Sequence, residues 1–212
     1  MDQLDLLKKD WKRQDSVNPR LSKDALSKII HKKSSSIVKW IFIISVLELV
    51  IPILISLFTG KMGSAEELEN LGLTSFMNSY YIKSFYVFYY LVIIYFIYLF
   101  YKNYKTIATN VSSKLLLQNI LKTRKIVKYY IWFNLALIPV ISSILFYKIY
   151  HSENFLEQLP QDTNMLVVWV LSVILIVVLV VLFWLFYQLI YGFLLKKLNR
   201  NYKELVSNDI VL

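Results

Sequence analysis

Four long apolar stretches, separated by polar segments, dominate the hydrophobic pattern of the chain. Each is long enough to cross the roughly 30 Å hydrocarbon layer as a helix, which takes about 20 residues. They cover approximately residues 40–58, 84–101, 129–147 and 165–195. The pattern therefore predicts an all-α integral membrane protein with four transmembrane helices.

Lys and Arg residues are distributed unevenly among the segments that connect these spans. Segments 1–39, 102–128 and the tail after residue 195 contain ten, seven and four of them, whereas connections 59–83 and 148–164 contain three in total. Because loops rich in Lys and Arg stay on the cytoplasmic side, we expect both termini in the cytoplasm and a multi-pass protein of the inner (plasma) membrane. The formal net charge of +10 follows from this topology, so no nucleic-acid partner is expected.

The borders of the spans divide the chain into four predicted regions. These are cytoplasmic basic amphipathic helices at 1–39, a first transmembrane hairpin at 40–110, a cytoplasmic basic connecting helix at 111–128, and a second transmembrane hairpin with a cytoplasmic tail at 129–208. The fourth span belongs to an uncharged run from Thr163 to Leu195, which would measure about 50 Å as one helix. Since this exceeds the thickness of the hydrocarbon layer, we expect the end around Tyr191 to protrude.

The second half of the chain repeats several features of the first. The tripeptide Ile-Val-Lys at 37–39, before the first span, recurs at 126–128 before the third, and Asn-Tyr-Lys follows the second and fourth spans at 103–105 and 201–203. Because each half begins and ends on the same side, we predict two tandem parallel hairpin repeats related by a pseudo-twofold axis along the membrane normal. The alternative is chance similarity between hairpins built from a restricted apolar alphabet.

The connection after the first span carries the signals of a short helix. Ser64 and Glu67 fit a capping box, in which each side chain satisfies a free backbone N–H of the other residue. Gly72 stands where such a helix would end, because glycine adopts the left-handed conformation of a helix C-terminus at low cost.

Glu48 is the only Asp or Glu within the four spans. It follows Lys39 by about 14 Å of helix, and an ionised, unpaired carboxylate at that depth is costly, so we expect it to be protonated, paired or next to a wet cavity. Pro52 deprives the Glu48 carbonyl of its helical partner, and Asn134 occupies a similar place before Pro139, which predicts a Glu48–Asn134 hydrogen bond. The predicted intramembrane polar site comprises Glu48, Asn134, Tyr95, Pro52 and Pro139.

Two interpretations of this site follow from the residues. Glu48 is either a proton or cation site in a small carrier, or a protonated residue that fixes how the helices pack. The first interpretation predicts that Glu48→Gln abolishes ion-coupled flux, and the second predicts a loss of stability instead.

The basic amphipathic segments on the cytoplasmic side form a second candidate site. One interpretation is that their lysines only fix the topology and reach lipid headgroups. The other is a docking surface for anionic headgroups or for a cytoplasmic protein partner, because a tryptophan in the polar N-terminal segment requires something that buries it. The predicted docking residues are Trp11, Lys32, Lys33, Lys122, Arg124 and Lys125.

Composition argues against most kinds of catalytic centre. The chain has no cysteine, two histidines and four glycines, so thiolate chemistry, an imidazole metal cluster and a phosphate-binding glycine loop are not expected. A single membrane carboxylate cannot perform acid–base catalysis that needs two carboxylates. We therefore predict a protein that is not an enzyme and has no cofactor or metal.

The N-terminal fifth of the chain resembles a family of small uncharacterised bacterial multi-pass membrane proteins. The similarity covers mainly residues 4–50 and consists of the Asp10-Trp11-Lys12 start and the KSSS-x-x-K-W pattern that leads into the first span. Some members of that family are labelled beta-carotene monooxygenases, which implies iron held by four histidines. Two histidines cannot supply that ligand set, so the resemblance implies a membrane class and no activity.

Together these patterns predict a non-enzymatic membrane scaffold or regulatory protein that presents basic cytoplasmic helices to a protein partner or to anionic lipid. The alternative is a small proton- or ion-coupled transporter, or a transporter subunit, that uses Glu48. The lipid bilayer is a partner in either case, and a homo-oligomer is compatible with both.

Overall fold

The computed structural model describes residues 23–59, 65–109, 113–160 and 162–207, and everything it describes in regular structure is helical. The helices are α1 (Lys23–Thr59), α2 (Ala65–Asn70), α3 (Thr74–Asn78), α4 (Tyr80–Thr109), α5 (Ser113–Tyr150), α6 (Glu153–Glu157), α7 (Met165–Tyr187), a π-helical segment (Gln188–Gly192) and α8 (Phe193–Ser207).

Four of these helical stretches are long and apolar enough to cross a membrane, as the hydrophobic pattern predicts. Each is longer than its apolar run, because the helix continues into the adjacent basic segment. α1 runs through the predicted border at residue 39, and α5 runs through the border at residue 128. Pro52 and Pro139 both lie inside continuous helices.

The fourth long helix changes its hydrogen-bonding pattern once. α7 is followed directly by the π-helical segment, and α8 continues the same helical path. The region around Tyr191 is the best-packed part of this helix, since Tyr187, Tyr191 and Leu198 are all buried. The expected protrusion of this region from the membrane stays a prediction. The rest of α7 carries a single buried residue, Ser172.

The long helices pack around one core, which lies toward their basic ends. α1 packs against α4 and α8, and α5 packs against α4, α7 and α8. We call residues 23–48, 93–109, 113–135 and 187–207 the basic half, and residues 49–59, 65–92, 136–160 and 162–186 the acidic half. The contiguous buried apolar cluster lies entirely within the basic half and comprises Ile30, Ile37, Val38, Ile41, Ile93, Phe100, Ile107, Leu116, Ile120, Ile126, Val127, Tyr130, Leu135, Tyr187, Tyr191, Leu198 and Leu205.

The short helices form the end of the acidic half. α2 ends in a Schellman motif, because Gly72 donates to the Glu69 carbonyl over 2.9 Å and Leu73 donates to the Leu68 carbonyl over 2.8 Å. Gly72 has φ +65°, as its predicted place at the helix end requires. Glu67, the second residue of the predicted capping box, lies in the first turn of α2. Ser64, the first, lies outside the described residues.

Gly72 also brings the loops of the two halves of the chain together. A Cβ added at Gly72 would lie 1.7 Å from Ser152 Oγ, so that no side chain fits between them. Next to this contact, Asn154 Nδ2 donates to the Glu69 carbonyl over 2.9 Å and Gln158 Nε2 donates to the Asn70 carbonyl over 3.1 Å. The connections after the first and third long helices are therefore packed as one unit.

Candidate functional site

Glu48 lies on α1 in the interior of the helical bundle. Its carboxylate accepts a hydrogen bond from the Tyr130 hydroxyl of α5 through Oε2. The other oxygen, Oε1, is buried and has no hydrogen-bond partner among the described residues. The Tyr191 hydroxyl lies close enough to interact with the same carboxyl.

Three tyrosines surround the Glu48 carboxyl. The Tyr130 ring packs edge-on against Tyr187 and Tyr191, at centroid distances of 6.4 and 5.9 Å. Tyr191 is fully buried, and its hydroxyl lies beside the Glu48 carboxyl, with which it interacts. We call Glu48, Tyr130, Tyr187 and Tyr191 the tyrosine–carboxyl cluster.

The π-helical segment brings the last two tyrosines onto the same side. Tyr187 ends α7 and Tyr191 lies within the π-helical turn, and their ring centroids are 6.0 Å apart. A π-helical turn inserted in an α-helix rotates the residues that follow it, and such turns are frequent at functional sites. Here the turn coincides with the contact between the fourth long helix and Glu48.

A chain of hydrogen bonds connects this cluster to α4. Tyr89 Oη donates to Asn134 Oδ1 over 3.3 Å, and Asn134 Nδ2 donates to the Tyr130 carbonyl over 2.9 Å. The Phe96 and Phe100 rings of α4 pack against Tyr130 at 5.5 and 5.7 Å. All four long helices therefore contribute to the surroundings of one carboxyl group.

Glu48 is the only residue of the site whose side chain carries a charge in its ordinary state. The four predicted spans contain no Lys, Arg, His or second carboxylate. The other titratable groups near Glu48 are the phenols of Tyr89, Tyr130, Tyr187 and Tyr191, which are neutral in their ordinary state. Charge neutrality in this apolar environment thus requires that Glu48 bind a proton or a positive ion.

An apolar cleft of about 380 Å³ adjoins the cluster on the side of the acidic half. α4, α5 and α7 form its walls, and α1 contributes none of the described lining residues. Tyr89, Asn134 and Tyr187 belong both to the cleft lining and to the hydrogen-bonded or aromatic surroundings of Glu48. The remaining lining residues are Phe85, Tyr86, Leu137, Ile138, Ile141, Ser142, Leu179 and Phe183.

Two of the five predicted polar-site residues, Glu48 and Asn134, belong to one connected arrangement. Their predicted direct hydrogen bond is absent, because the Asn134 amide bonds Tyr130 and Tyr89 instead. Tyr95 is 58% exposed on the outer surface of α4 and does not join Glu48. Pro52 is exposed and Pro139 lines a separate shallow surface with Trp132.

The tyrosines of the cluster were not among the residues predicted from the sequence. Tyr130 lies two residues after Lys128, which is typical of an aromatic residue at the membrane interface. Tyr191 falls in the segment that we expected to protrude. The spacing of four residues between Tyr187 and Tyr191, and between Tyr130 and Asn134, is the sequence signal that could have indicated shared helix faces.

Most predicted docking residues lie on the outer surface of the basic half. Lys32, Lys33, Lys122 and Lys125 are exposed, and Arg124 is partly buried. Lys125 Nζ lies 5.8 Å from the centroid of the Tyr129 ring, a cation–π contact. Trp11 lies outside the described residues.

The basic half has a large excess of positive charge. Sixteen Lys and Arg residues accompany three acidic residues, Asp24, Glu48 and Glu204, in this half. Its cross-links between helices are polar and uncharged: Asn201 Nδ2 donates to Ser34 Oγ over 3.0 Å, and the hydroxyls of Ser27 and Ser113 are 2.9 Å apart. Within the described residues, no group of three or more His, Cys, Asp or Glu side chains is arranged to hold a metal ion.

A comparison with protein-family models matches residues 24–210 to a domain of unknown function, DUF8845. The chain belongs to this family. The match includes the four long helices apart from Lys23, and with them the tyrosine–carboxyl cluster and the cleft. The description of the family assigns no function to these features. No curated protein matches the chain, and no solved structure matches it.

Proposed function

We propose that the protein is a small proton- or ion-coupled membrane carrier, or a subunit of one, in which Glu48 is the coupling group. One observation carries this proposal: the single carboxyl within the spans lies among the hydroxyls of Tyr130 and Tyr191, and the spans contain no Lys, Arg or His to pair with it. Because phenols supply hydrogen bonds but no positive charge, the counter-charge of this carboxyl must be a proton or an exchangeable cation. Ionisable groups within membrane spans commonly mark ion or proton pathways.

The proposal requires that Glu48 exchange its proton reversibly. Infrared difference spectra of the full-length protein in lipid nanodiscs, recorded across a pH series, measure this directly. We expect a protonated carboxyl band that converts to carboxylate as the pH rises, because no positive side chain holds Glu48 ionised. This band is absent from Glu48→Gln and unchanged in Glu157→Gln, an exposed carboxyl of the acidic half.

A Glu48 band that never titrates while the fold persists would contradict the proposal and support a purely structural role. Thermal unfolding in detergent separates the two outcomes further. A coupling role predicts that Glu48→Gln, which mimics the neutral acid, keeps the stability of the parent protein within about 1 kcal/mol. A structural role predicts a clear loss.

We further propose that the two halves of the chain are duplicated parallel hairpins. Buried positions correspond at a separation of 89 residues in the first helices of each half and of 98 residues in the second helices. The pairs are Ser34 and Thr123, Val38 and Val127, Ile41 and Tyr130, Ser45 and Asn134, Ile93 and Tyr191, Phe100 and Leu198, Asn103 and Asn201, and Ile107 and Leu205. This correspondence supports the duplication, since burial was not used to align the halves.

The proposed orientation has the basic half toward the cytoplasm of the inner (plasma) membrane. The absence of cysteine from the chain makes this easy to test, because any introduced cysteine is the only thiol. In intact cells, a membrane-impermeant thiol reagent should label Lys83→Cys and leave Lys122→Cys unlabelled until the membrane is opened. The reverse pattern would invert the topology.

A scaffold or regulatory role is the second candidate, and the charge of the basic half favours it. Exposed Lys32, Lys33, Lys122 and Lys125 offer contacts to anionic headgroups or to an acidic protein surface. A photo-crosslinker attached at Lys122→Cys should capture one protein partner in intact membranes, and the same probe at Lys83→Cys should not. Capture of lipid and of the same chain alone would argue against this role.

A further inference from the structure

We infer that the cleft between α4, α5 and α7 binds a lipophilic organic monocation, which exchanges with the proton on Glu48. This inference rests on the proposed role of Glu48 and adds the chemical class of the substrate. It is carried by the juxtaposition of an aromatic-lined cleft with the one negatively charged group of the spans.

The walls of the cleft select for an apolar ligand with a delocalised or shielded positive charge. Five of the eleven lining residues are aromatic: Phe85, Tyr86, Tyr89, Phe183 and Tyr187. Aromatic faces attract cations, and the attraction is larger where water is excluded. The volume of about 380 Å³ lies within the usual range for sites that bind small organic molecules.

The polar groups of the cleft argue against an inorganic ion. Na⁺ and Ca²⁺ need several oxygen ligands arranged around them, whereas the lining offers one amide, from Asn134, one hydroxyl, from Ser142, and the phenols of Tyr86, Tyr89 and Tyr187. The Asn134 oxygen already accepts from Tyr89. An organic cation needs no such coordination shell, because the aromatic faces that line the cleft stabilise its charge. Glu48 lies behind this lining, next to Tyr89 and Tyr187, and supplies the nearest counter-charge.

Charge balance gives the stoichiometry of the exchange. The cluster and the cleft together are neutral when Glu48 holds a proton, and they are neutral again when the ionised carboxylate is balanced by one monocation in the adjoining cleft. When the cation binds, the O–H bond of Glu48 breaks and the proton leaves to water, so the charge of the site stays constant. The titratable neighbours Tyr89, Tyr130, Tyr187 and Tyr191 remain neutral phenols throughout.

The hydrogen-bond chain explains how the cleft and Glu48 are connected. Tyr89 and Asn134 line the cleft, Asn134 bonds the Tyr130 backbone, and the Tyr130 hydroxyl bonds Glu48. Tyr187 contributes its ring to the cleft and packs against Tyr191, whose hydroxyl lies beside the Glu48 carboxyl. A ligand in the cleft that displaces the ring of Tyr89 or of Tyr187 therefore changes the surroundings of Glu48.

The test uses two ions of nearly equal shape and opposite charge, tetraphenylphosphonium and tetraphenylborate. Their binding to the full-length protein in nanodiscs is measured by equilibrium dialysis, with empty nanodiscs as the background, and proton release is followed in weakly buffered solution below the Glu48 transition. We expect saturable binding of the phosphonium with one proton released per cation, and no saturable binding of the borate.

Variants of the carboxyl and of the cleft make the test specific. Glu48→Gln should weaken phosphonium binding by about tenfold or more and abolish proton release, whereas Glu157→Gln should change neither. Ser142→Phe, which fills the cleft, should also abolish binding. Ser143→Phe is the matched control, because Ser143 is the next residue on α5 and is exposed outside the cleft.

The other outcomes would overturn the inference about the ligand, the coupling role of Glu48, or both. Equal saturable binding of both ions, or undiminished binding to Glu48→Gln, would show an apolar cleft for lipid chains and would overturn the inference. Absent phosphonium binding with a titrating Glu48 band would overturn the inference and leave the proposed coupling role standing. Phosphonium binding without proton release, together with a Glu48 band that never titrates, would overturn the coupling role and the exchange.

Discussion

The basic and acidic halves of the bundle are built from the same four long helices but are packed differently. In the basic half, all four long helices contribute to one buried apolar cluster, and Asn201 and Ser34 join α8 to α1. In the acidic half, the buried residues among those described are Leu73, Tyr150 and Ser172. One half therefore holds the fold together, and the other leaves room for a cleft.

In these helices, an amphipathic pattern predicts which segment is packed against its neighbours, and a high content of apolar residues does not. α7 is almost wholly apolar, yet most of its side chains are exposed toward the surroundings of the bundle. α8 is much more polar, and Leu198, Asn201 and Leu205 lie on one buried stripe at helical spacing. In lipid, apolar side chains gain little by leaving the surface, so packing depends on shape and on polar pairs.

The largest expected effect comes from deleting a core side chain of the basic half. Phe100 is fully buried against Tyr130, so Phe100→Ala should lower the free energy of unfolding in detergent by about 3 kcal/mol or more. Phe88→Ala on the same helix is the control, because Phe88 is 59% exposed, and it should cost far less. Equal losses for the two variants would remove the distinction between the halves.

The acidic half has one position where a small change should matter nearly as much. Gly72→Ala places a methyl group against Ser152 and strains a left-handed backbone, which should cost about 2 kcal/mol. The double variant Gly72→Ala/Ser152→Gly should recover part of this stability, because the second change removes the clashing atoms and leaves the backbone strain. Thermal unfolding that shows no recovery would mean that the two loops are not in contact.

The smallest expected effect concerns Asn103 on α4 and Asn201 on α8, which are both buried. Asn201 is buried and bonded to Ser34, whereas the amide nitrogen of buried Asn103 has no hydrogen-bond partner among the described residues. Asn201→Leu should therefore cost about 1 kcal/mol or more, and Asn103→Leu should be neutral or stabilising. Urea or detergent unfolding of the two variants in parallel measures this, and equal losses would contradict the asymmetry.

The long helices could be predicted from the sequence because the cost of an unpaired peptide group in hydrocarbon leaves few other structures. Glu48 could be found for a similar reason, since a charge is conspicuous in an apolar run. The continuation of α1 and α5 through their basic segments was not predicted, because the change from apolar to basic residues marks a change of solvent and not the end of a helix.

The tyrosines around Glu48 could not be chosen from the sequence in the same way. α4 carries tyrosines on all its faces, so their spacing does not distinguish Tyr89, which bonds Asn134, from exposed Tyr95. Tyr130 and Tyr191 resemble interface residues by position and become cluster residues only through the packing of α5 against α8 and the π-helical turn. Which residues form such a site depends on how the helices pack in three dimensions, and one sequence does not give that packing directly.

The position of the cleft has a consequence for how affinity must be expressed. Its walls belong to three helices that also form the outside of the bundle. We therefore expect a ligand of the cleft to arrive sideways, from within the bilayer, after dissolving in it. Its effective concentration is moles per volume of lipid, so a dissociation constant quoted against the aqueous concentration will vary with the ligand's partition coefficient and with the lipid-to-protein ratio of the sample.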